Sequence, residues 1–380
     1  MIASRIEAKA NGVNKVAMLD TTCKVTTNDS LYLTVTKDGL VVAVNGKEMI
    51  TLSGDYQNFL ACLQLVDGSR SYQEIIDEMS RQGYDPGSVL EVLNFCTDEN
   101  IIKKAEYAEL RDSLTSLDAY SYTKWDRQIR NFASLPEVDD RKAVEFQQKL
   151  EQSHIAIVGV GGVGSYVSLG MAMMGVGHLS LVDFDSIELS NTSRQVLYTE
   201  ESIGELKINA AEKQILKHNP RTKITTLNRR IASQDDVEFV LNEIESSMGS
   251  LPDLLFIAAD TPRGLIHYMV DESCYRRGVP CFNLGPHGFS ELTIGPMSVP
   301  GLTPSYTQRA PKSFMIDENS DVQNINDRFS PNIMDPYNAM VAKMGVIEAV
   351  KFITGYQEPS ILNSAITLNT STWSIDRHEY

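Results

Sequence analysis

Four glycines, Gly159, Gly161, Gly162 and Gly164, follow directly on an apolar run at 155–158 (IAIV) and open a helix-length segment. A second apolar run, 179–182, ends in Asp183, nineteen residues after Gly164. A strand, a glycine turn, a helix and an acid-tipped strand put a phosphate on a helix N-terminus and a carboxylate near a ribose. The alternative use of such glycines is to pack a helix closely on a sheet. Which nucleotide is meant depends on what comes next: Asp185, then 190–195 (SNTSRQ) with Asn191 and Arg194, then 204–207 (GELK) with Lys207. An Arg fork and a Lys point charge suit the negative charge that builds when a carboxylate attacks an α-phosphate and pyrophosphate leaves. An NAD(P)- or FAD-dependent oxidoreductase on the same βαβ unit is the alternative from another class, and it leaves Arg194 and Lys207 without a task.

As an ordered set, the glycine loop, Asp183-x-Asp185, the 190–195 series and 204–207 resemble the ThiF and ubiquitin-activating superfamily of adenylating enzymes. The resemblance runs roughly over residues 120–295, with a weaker echo to about 355. It implies an α/β fold, a Rossmann-like doubly wound sheet of the ThiF type, that uses ATP and Mg²⁺ as a homodimer. Carried over residue by residue, it makes Gly159, Gly161, Gly162, Gly164, Asp183, Asp185 and Asn191 nucleotide-binding, and Arg194 and Lys207 catalytic. Asp260, just past the apolar run 254–257, matches the magnesium-associated aspartate, although A-A-D-T-P replaces the more usual D-x-x-D-N around it. Arg127, within 125–132 (WDRQIRNF), matches an arginine that reaches the partner's nucleotide in dimeric relatives. Without the resemblance, Asp260 is a helix cap and Arg127 a surface charge. His287, among turn residues near the expected substrate carboxylate, is either a base or a hydrogen-bonding surface group.

These residues need elements to hold them, and 380 residues are enough for two cores. A net charge of −16 argues against nucleic-acid and membrane-surface partners. No apolar stretch reaches the length of a membrane span and the first fifteen residues lack the run of a signal peptide, which together indicate a cytoplasmic protein. The five cysteines, at 23, 62, 96, 274 and 281, are scattered and odd in number, so no disulfide framework is expected. Many bacterial members of the superfamily hold zinc with two Cys-x-x-Cys pairs. This chain has neither pair, so zinc is not expected, and Cys274 and Cys281 read as small buried hydrophobes.

The N-terminal stretch reads as a separate unit. Short runs at 31–36, 40–44 and 48–52, with turns at 37–39 and 45–46, predict three strands, and apolar spacing predicts helices over 56–66, 72–82 and 86–100. Such a winged-helix-like α+β unit often binds DNA, but residues 29–105 hold 12 Asp and Glu against 6 Lys and Arg, and the third helix has no base to lie on phosphate. The arrangement resembles the peptide-recognition element fused to enzymes that modify ribosomally made precursor peptides, where a leader adds a strand to the sheet.

Downstream of the glycine loop, 221–231 and 279–283 read as further strands, 235–246 and 336–356 as helices, and 298–330 as a crossing loop or lid. The expected domains are 1–110 for peptide recognition, 111–150 as a helical linker and dimer contact, and 151–380 for adenylation. Residues 298–330 hold no cysteine for a thioester relay. An ATP-dependent enzyme that modifies a precursor peptide is therefore expected, and the resemblance implies a place in peptide-antibiotic biosynthesis. The resemblance further implies that a carboxylate, the side chain of Glu, is adenylated and consumed by cyclisation within the same peptide.

Overall fold

The computed structural model describes residues 22–44, 47–105, 117–135, 138–287, 290–309, 325 and 332–380. The 45–46 turn, residues 106–116 of the linker region and most of 298–330 lie outside the described residues. The chain divides into two units, Met1–Glu145 and Phe146–Tyr380.

In the first unit, strands β1 (Lys24–Thr27), β2 (Tyr32–Thr36), β3 (Gly39–Ala43) and β4 (Ile50–Leu52) are followed by helix α1 (Gln57–Leu65), β5 (Asp67–Ser71), α2 (Tyr72–Arg81), α3 (Pro86–Asp98) and β6 (Ile102–Lys104). They form two antiparallel three-stranded sheets, ordered β2-β3-β4 and β5-β1-β6. Local chemistry starts the helices. Ser71 and Glu74 form a capping box for α2, and Asp85 accepts the Ser88 N–H ahead of Pro86 in α3. Their apolar faces close on one core that includes Leu40, Phe59, Ile75, Met79, Leu93 and Ile102. Helices α4 (Ala119–Lys124) and α5 (Asp126–Ala133) follow, and α6 (Asp140–Gln152) runs into the second unit.

The second unit holds β7 (His154–Val158), α7 (Gly162–Met173), β8 (His178–Val182), α8 (Lys207–His218), β9 (Lys223–Leu227), α9 (Gln234–Met248), β10 (Leu254–Ile257), α10 (Ile266–Arg277), β11 (Cys281–His287) and β12 (Glu291–Ser298). Beyond them come the short α11 (Tyr306–Arg309), α12 (Asp335–Thr354), β13 (Ser364–Asn369) and β14 (Ser374–Glu379). One eight-stranded sheet runs β14-β13-β12-β11-β10-β7-β8-β9. The five strands from β11 to β9 are parallel and the last three antiparallel. Every residue of β7, β8 and β10 is buried, as parallel strands covered on both faces require. Helix α12 packs closely on α7 and β11. A side chain at Gly170 would sit 2.9 Å from a Val346 methyl, and one at Gly345 would sit 2.7 Å from Leu284 Cδ1. Cys274 and Cys281 are fully buried. Among the described residues no helix is long and apolar enough to cross a membrane.

Candidate active site

From β7 the chain proceeds to β8 and β9 on one side, while β10 and β11 lie on the other. The connections diverge between β7 and β10, and ligands bind outside the carboxyl ends of strands at such a point in open α/β sheets. Gly159 leaves β7 with φ +87° and donates to Val182 O at 2.8 Å. A Cβ there would lie 2.8 Å from Ala259 N, and one at Gly164 would lie 1.8 Å from Gly159 O, so neither position admits a side chain. A Cβ on Gly162 would lie 2.6 Å from the Asn338 side-chain amide, whereas among the described residues a Cβ on Gly161, which caps α7, meets only Gln195 Nε2 at 3.9 Å. Gly159 and Gly164 thus fold the loop, and Gly161 lines its open side.

Two side chains grip the loop at Val160. Asp183 Oδ2 accepts the Val160 N–H at 2.7 Å, and the buried Tyr198 hydroxyl donates to Val160 O, also at 2.7 Å. The other oxygen of Asp183 accepts the Asp185 N–H at 2.9 Å. Burial pushes the Asp183 carboxyl above the usual carboxylate range, against the opposing pull of Lys207 and the two backbone donors. Asp183 therefore braces the turn, and each of its oxygens keeps one lone pair.

A short pairing of Ser186 with Leu206 brings the start of α8 back to the tip of β8. Lys207, whose side chain is 8% exposed, donates through Nζ to Asp185 Oδ2 at 2.7 Å and through its backbone N–H to Asp185 O at 2.9 Å. An ammonium has three N–H donors, and among the described residues one is engaged, which leaves two for a ligand. Asn191 is buried and accepts the Glu188 N–H at 3.0 Å, closing the turn that presents Arg194. The Arg194 guanidinium donates to Ser190 O at 2.5 Å, and its backbone carbonyl accepts from Asn338 Nδ2 at 3.3 Å. The glycine loop, Arg194 and Lys207 are thereby joined by direct or relayed contacts.

Asp260 follows β10, exposed, and accepts from the Thr261 hydroxyl at 3.3 Å. A single accessible carboxylate fits Mg²⁺, which keeps several waters and takes one or two carboxylates alongside substrate phosphates. Among the described residues no group of three or more His, Cys, Asp or Glu gathers as a metal cage. Arg127 belongs to the first unit, on α5, with its side chain 94% exposed and Nε 4.0 Å from Asp126. His287 is the last residue of β11.

Sequence reasoning missed three members of this site. Tyr198 and Asn338 carried no motif of their own, and they act through contacts made only in the fold. Gln195 stood in the quoted 190–195 series without a role. It is 5% exposed beside Gly161, and its Oε1 has no hydrogen-bond partner among the described residues.

Comparison with known proteins gives this geometry a family. The sulfur carrier protein ThiS adenylyltransferase of Escherichia coli (strain K12) is 26% identical over 235 residues, 62% of this chain and 85% of the relative. A probable molybdopterin-synthase adenylyltransferase of Porphyra purpurea is 35% identical over 130 residues, 34% of this chain but only 32% of that relative's length. Among solved structures, Escherichia coli MccB with AMPCPP and MccA superposes with a TM-score of 0.72 at 23% identity, covering 93% of this chain and 96% of MccB. PaaA superposes at 0.68 with 21% identity, covering 92% and 98%. At these identities the likeness to both is one of fold. The ThiF family profile matches residues 126–379, well over half the sequence and all of the site in the second unit, and the chain belongs to the ThiF family.

Proposed function

We propose that this chain, an ATP-dependent adenylating enzyme, activates a Glu side-chain carboxylate of a ribosomally made precursor peptide and that the acyl adenylate is then captured within the same peptide. The carboxylate oxygen attacks the α-phosphorus and pyrophosphate leaves. An amide nitrogen or another nucleophile of the peptide then attacks the acyl carbon and AMP leaves, so the peptide loses one water per ring closed. The observation that carries this reading is the pair of cations with donors to spare, Lys207 held by Asp185 and Arg194 held by Ser190, both tied to the glycine loop. Charges fixed before the reaction stabilise the developing negative charge without reorganising. Asp260 would hold Mg²⁺, which supplies further neutralisation of the phosphates.

A peptide as substrate is supported by the fold shared with MccB, whose solved complexes hold MccA, and with PaaA. Residues 298–330 carry no cysteine, which favours direct capture over a thioester. We assign leader recognition to residues 1–110, the dimer contact to 111–150 and adenylation to 151–380.

Pyrophosphate release from ATP, with candidate peptides added one at a time, tests the reaction. Arg194→Ala, Lys207→Ala and Asp260→Ala should each lower turnover by about 10²-fold or more, as removing one donor to a developing oxyanion does. Release of ADP and orthophosphate in place of AMP and pyrophosphate would overturn the reading. The exposed Arg127 is assigned to the partner's site in a homodimer. Mixing Arg127→Ala with Lys207→Ala protein should then restore activity through hybrid dimers with one intact site, and an exchanged mixture that stays inactive removes Arg127 from that role.

A further inference from the structure

A glycine loop that presents backbone N–H groups to phosphate has an inherent weakness. Glycine tolerates so many backbone conformations that the peptide units between glycines can rotate, turning a carbonyl to where an N–H is needed. Here the unit in question joins Val160 to Gly161, ahead of Gly161, Gly162 and Gly164.

That unit is trans, since among the described residues the cis bonds are at Thr261-Pro262 and Gly295-Pro296. In a trans peptide the carbonyl and the following N–H point in opposite directions. Val160 O and the Gly161 N–H are therefore the two ends of one rigid plane. The Tyr198 hydroxyl donates to the carbonyl end at 2.7 Å, and both Tyr198 and Val160 are buried, at 4% and 0% exposure. The preceding N–H, that of Val160, is taken by Asp183 at 2.7 Å. Both peptide planes that meet at Val160 are thus fixed by side chains from outside the loop. Burial raises the Tyr198 phenol well above its ordinary value, so it remains a donor. From the same node the chain of contacts continues through Asp183 to the Asp185 backbone, and from the Asp185 carboxylate to Lys207.

We propose that Tyr198 is a positioning residue for the nucleotide: its hydroxyl holds the Val160–Gly161 peptide so that the Gly161 N–H faces a bound phosphate. The assignment rests on the nucleotide site proposed above. It predicts that a single oxygen atom, buried away from the ligand, sets nucleotide affinity.

The test is calorimetric titration of the full chain with α,β-methylene-ATP in the presence of Mg²⁺, which needs no knowledge of the peptide. Tyr198→Phe keeps the ring and removes the hydroxyl, leaving Val160 O without its donor. Kd for the analogue should rise about tenfold, the scale of one buried hydrogen bond. A hydroxyl that served stability alone would lower Tm and leave the Kd of the folded protein unchanged, and that result overturns the proposal. If Tyr198→Phe does not fold, hydrogen exchange on the native chain decides instead. The Gly161 amide should exchange freely without nucleotide and become protected by the analogue, and an amide whose exchange the bound analogue leaves unchanged overturns the assignment. A native chain that does not bind the analogue overturns the nucleotide site itself, an outcome distinct from native binding with an unaltered Tyr198→Phe affinity.

Discussion

His154 and His178 open β7 and β8 at the amino ends of the strands whose carboxyl ends carry the site. Their rings meet edge to face with centroids 4.8 Å apart, His154 Nε2 pairs with Ser180 Oγ at 2.8 Å, and His178 Nε2 pairs with Thr225 Oγ1 at 2.9 Å. Both Nδ1 atoms are buried without a partner among the described residues. Burial, aided by His178, pushes His154 down to about 4, and burial with Lys223 lowers His178. A histidine depressed in the folded state contributes stability that is present above its unfolded value near 6.5 and lost as pH falls through the folded value. For His154 the full loss is on the order of 3 kcal/mol. Asp183 and Asp271, raised by burial, act with the opposite sign, so the contrast between proteins is more diagnostic than the bare curve. Denaturant titrations between pH 6.5 and 5 should show stability falling more steeply for the native chain than for His154→Gln, and parallel slopes would refute this. The pair does not belong to the catalytic set, and nothing in its sequence positions marks it. Asp183, Arg194 and Lys207 were singled out by residue type and spacing, and the structure brings them to the carboxyl-end face around the glycine loop, where their roles in catalysis are part of the proposal. Tyr198, Asn338 and the histidines owe their environments to contacts between residues far apart in sequence.

Elements were legible where burial leaves a print in the chain. The apolar runs at 155–158, 179–182 and 254–257 mark β7, β8 and β10 to within a residue, because a parallel strand covered on both faces has no polar alternation to hide it. Apolar spacing located α1, α2 and α3, and the Asp85 cap and Pro86 fix the start of the last. The strands that escaped notice lack this print. All six residues of β14, SIDRHE, are exposed, and the strand exists through its ladder with β13, from Ser364 opposite Glu379 to Asn369 opposite Ser374. β5, DGSRS, has no apolar residue and is held by pairing with β1. β12 has buried residues along most of its length, yet Gly295 and Pro296 interrupt the run that would announce it. Helix α10 begins at Ile266 and not directly after Asp260, because Pro262 and Gly264 first turn the chain after β10.

Two units with separate cores allow recognition and chemistry to be divided within one chain. In the first unit β3 is paired on both sides, while among the described residues β2 and β4 each pair on one side. β2 also presents Tyr32 and Val35, 63% and 66% exposed. An unpaired strand edge offers N–H and C=O groups to an incoming strand, and adjacent apolar side chains give that strand its anchors. A DNA ligand is disfavoured by the acidic balance of residues 29–105. A leader bound along that edge would raise the effective concentration of the core peptide at the second unit without any added contact to the core. The fragment 1–145 should therefore bind leader peptide in the absence of ATP. A chain lacking residues 1–110 should still bind α,β-methylene-ATP, because the glycine loop, Arg194, Lys207 and Asp260 all lie in the second unit. Its processing of full-length precursor should fall by roughly 10²-fold, the scale that tethering contributes. A Pro at an outward N–H of the edge strand should weaken leader binding more than a charge reversal elsewhere on the acidic surface, since it removes a backbone donor. Equal processing by the truncated and intact chains, or capture of duplex DNA by the fragment in place of peptide, would show that recognition lies elsewhere.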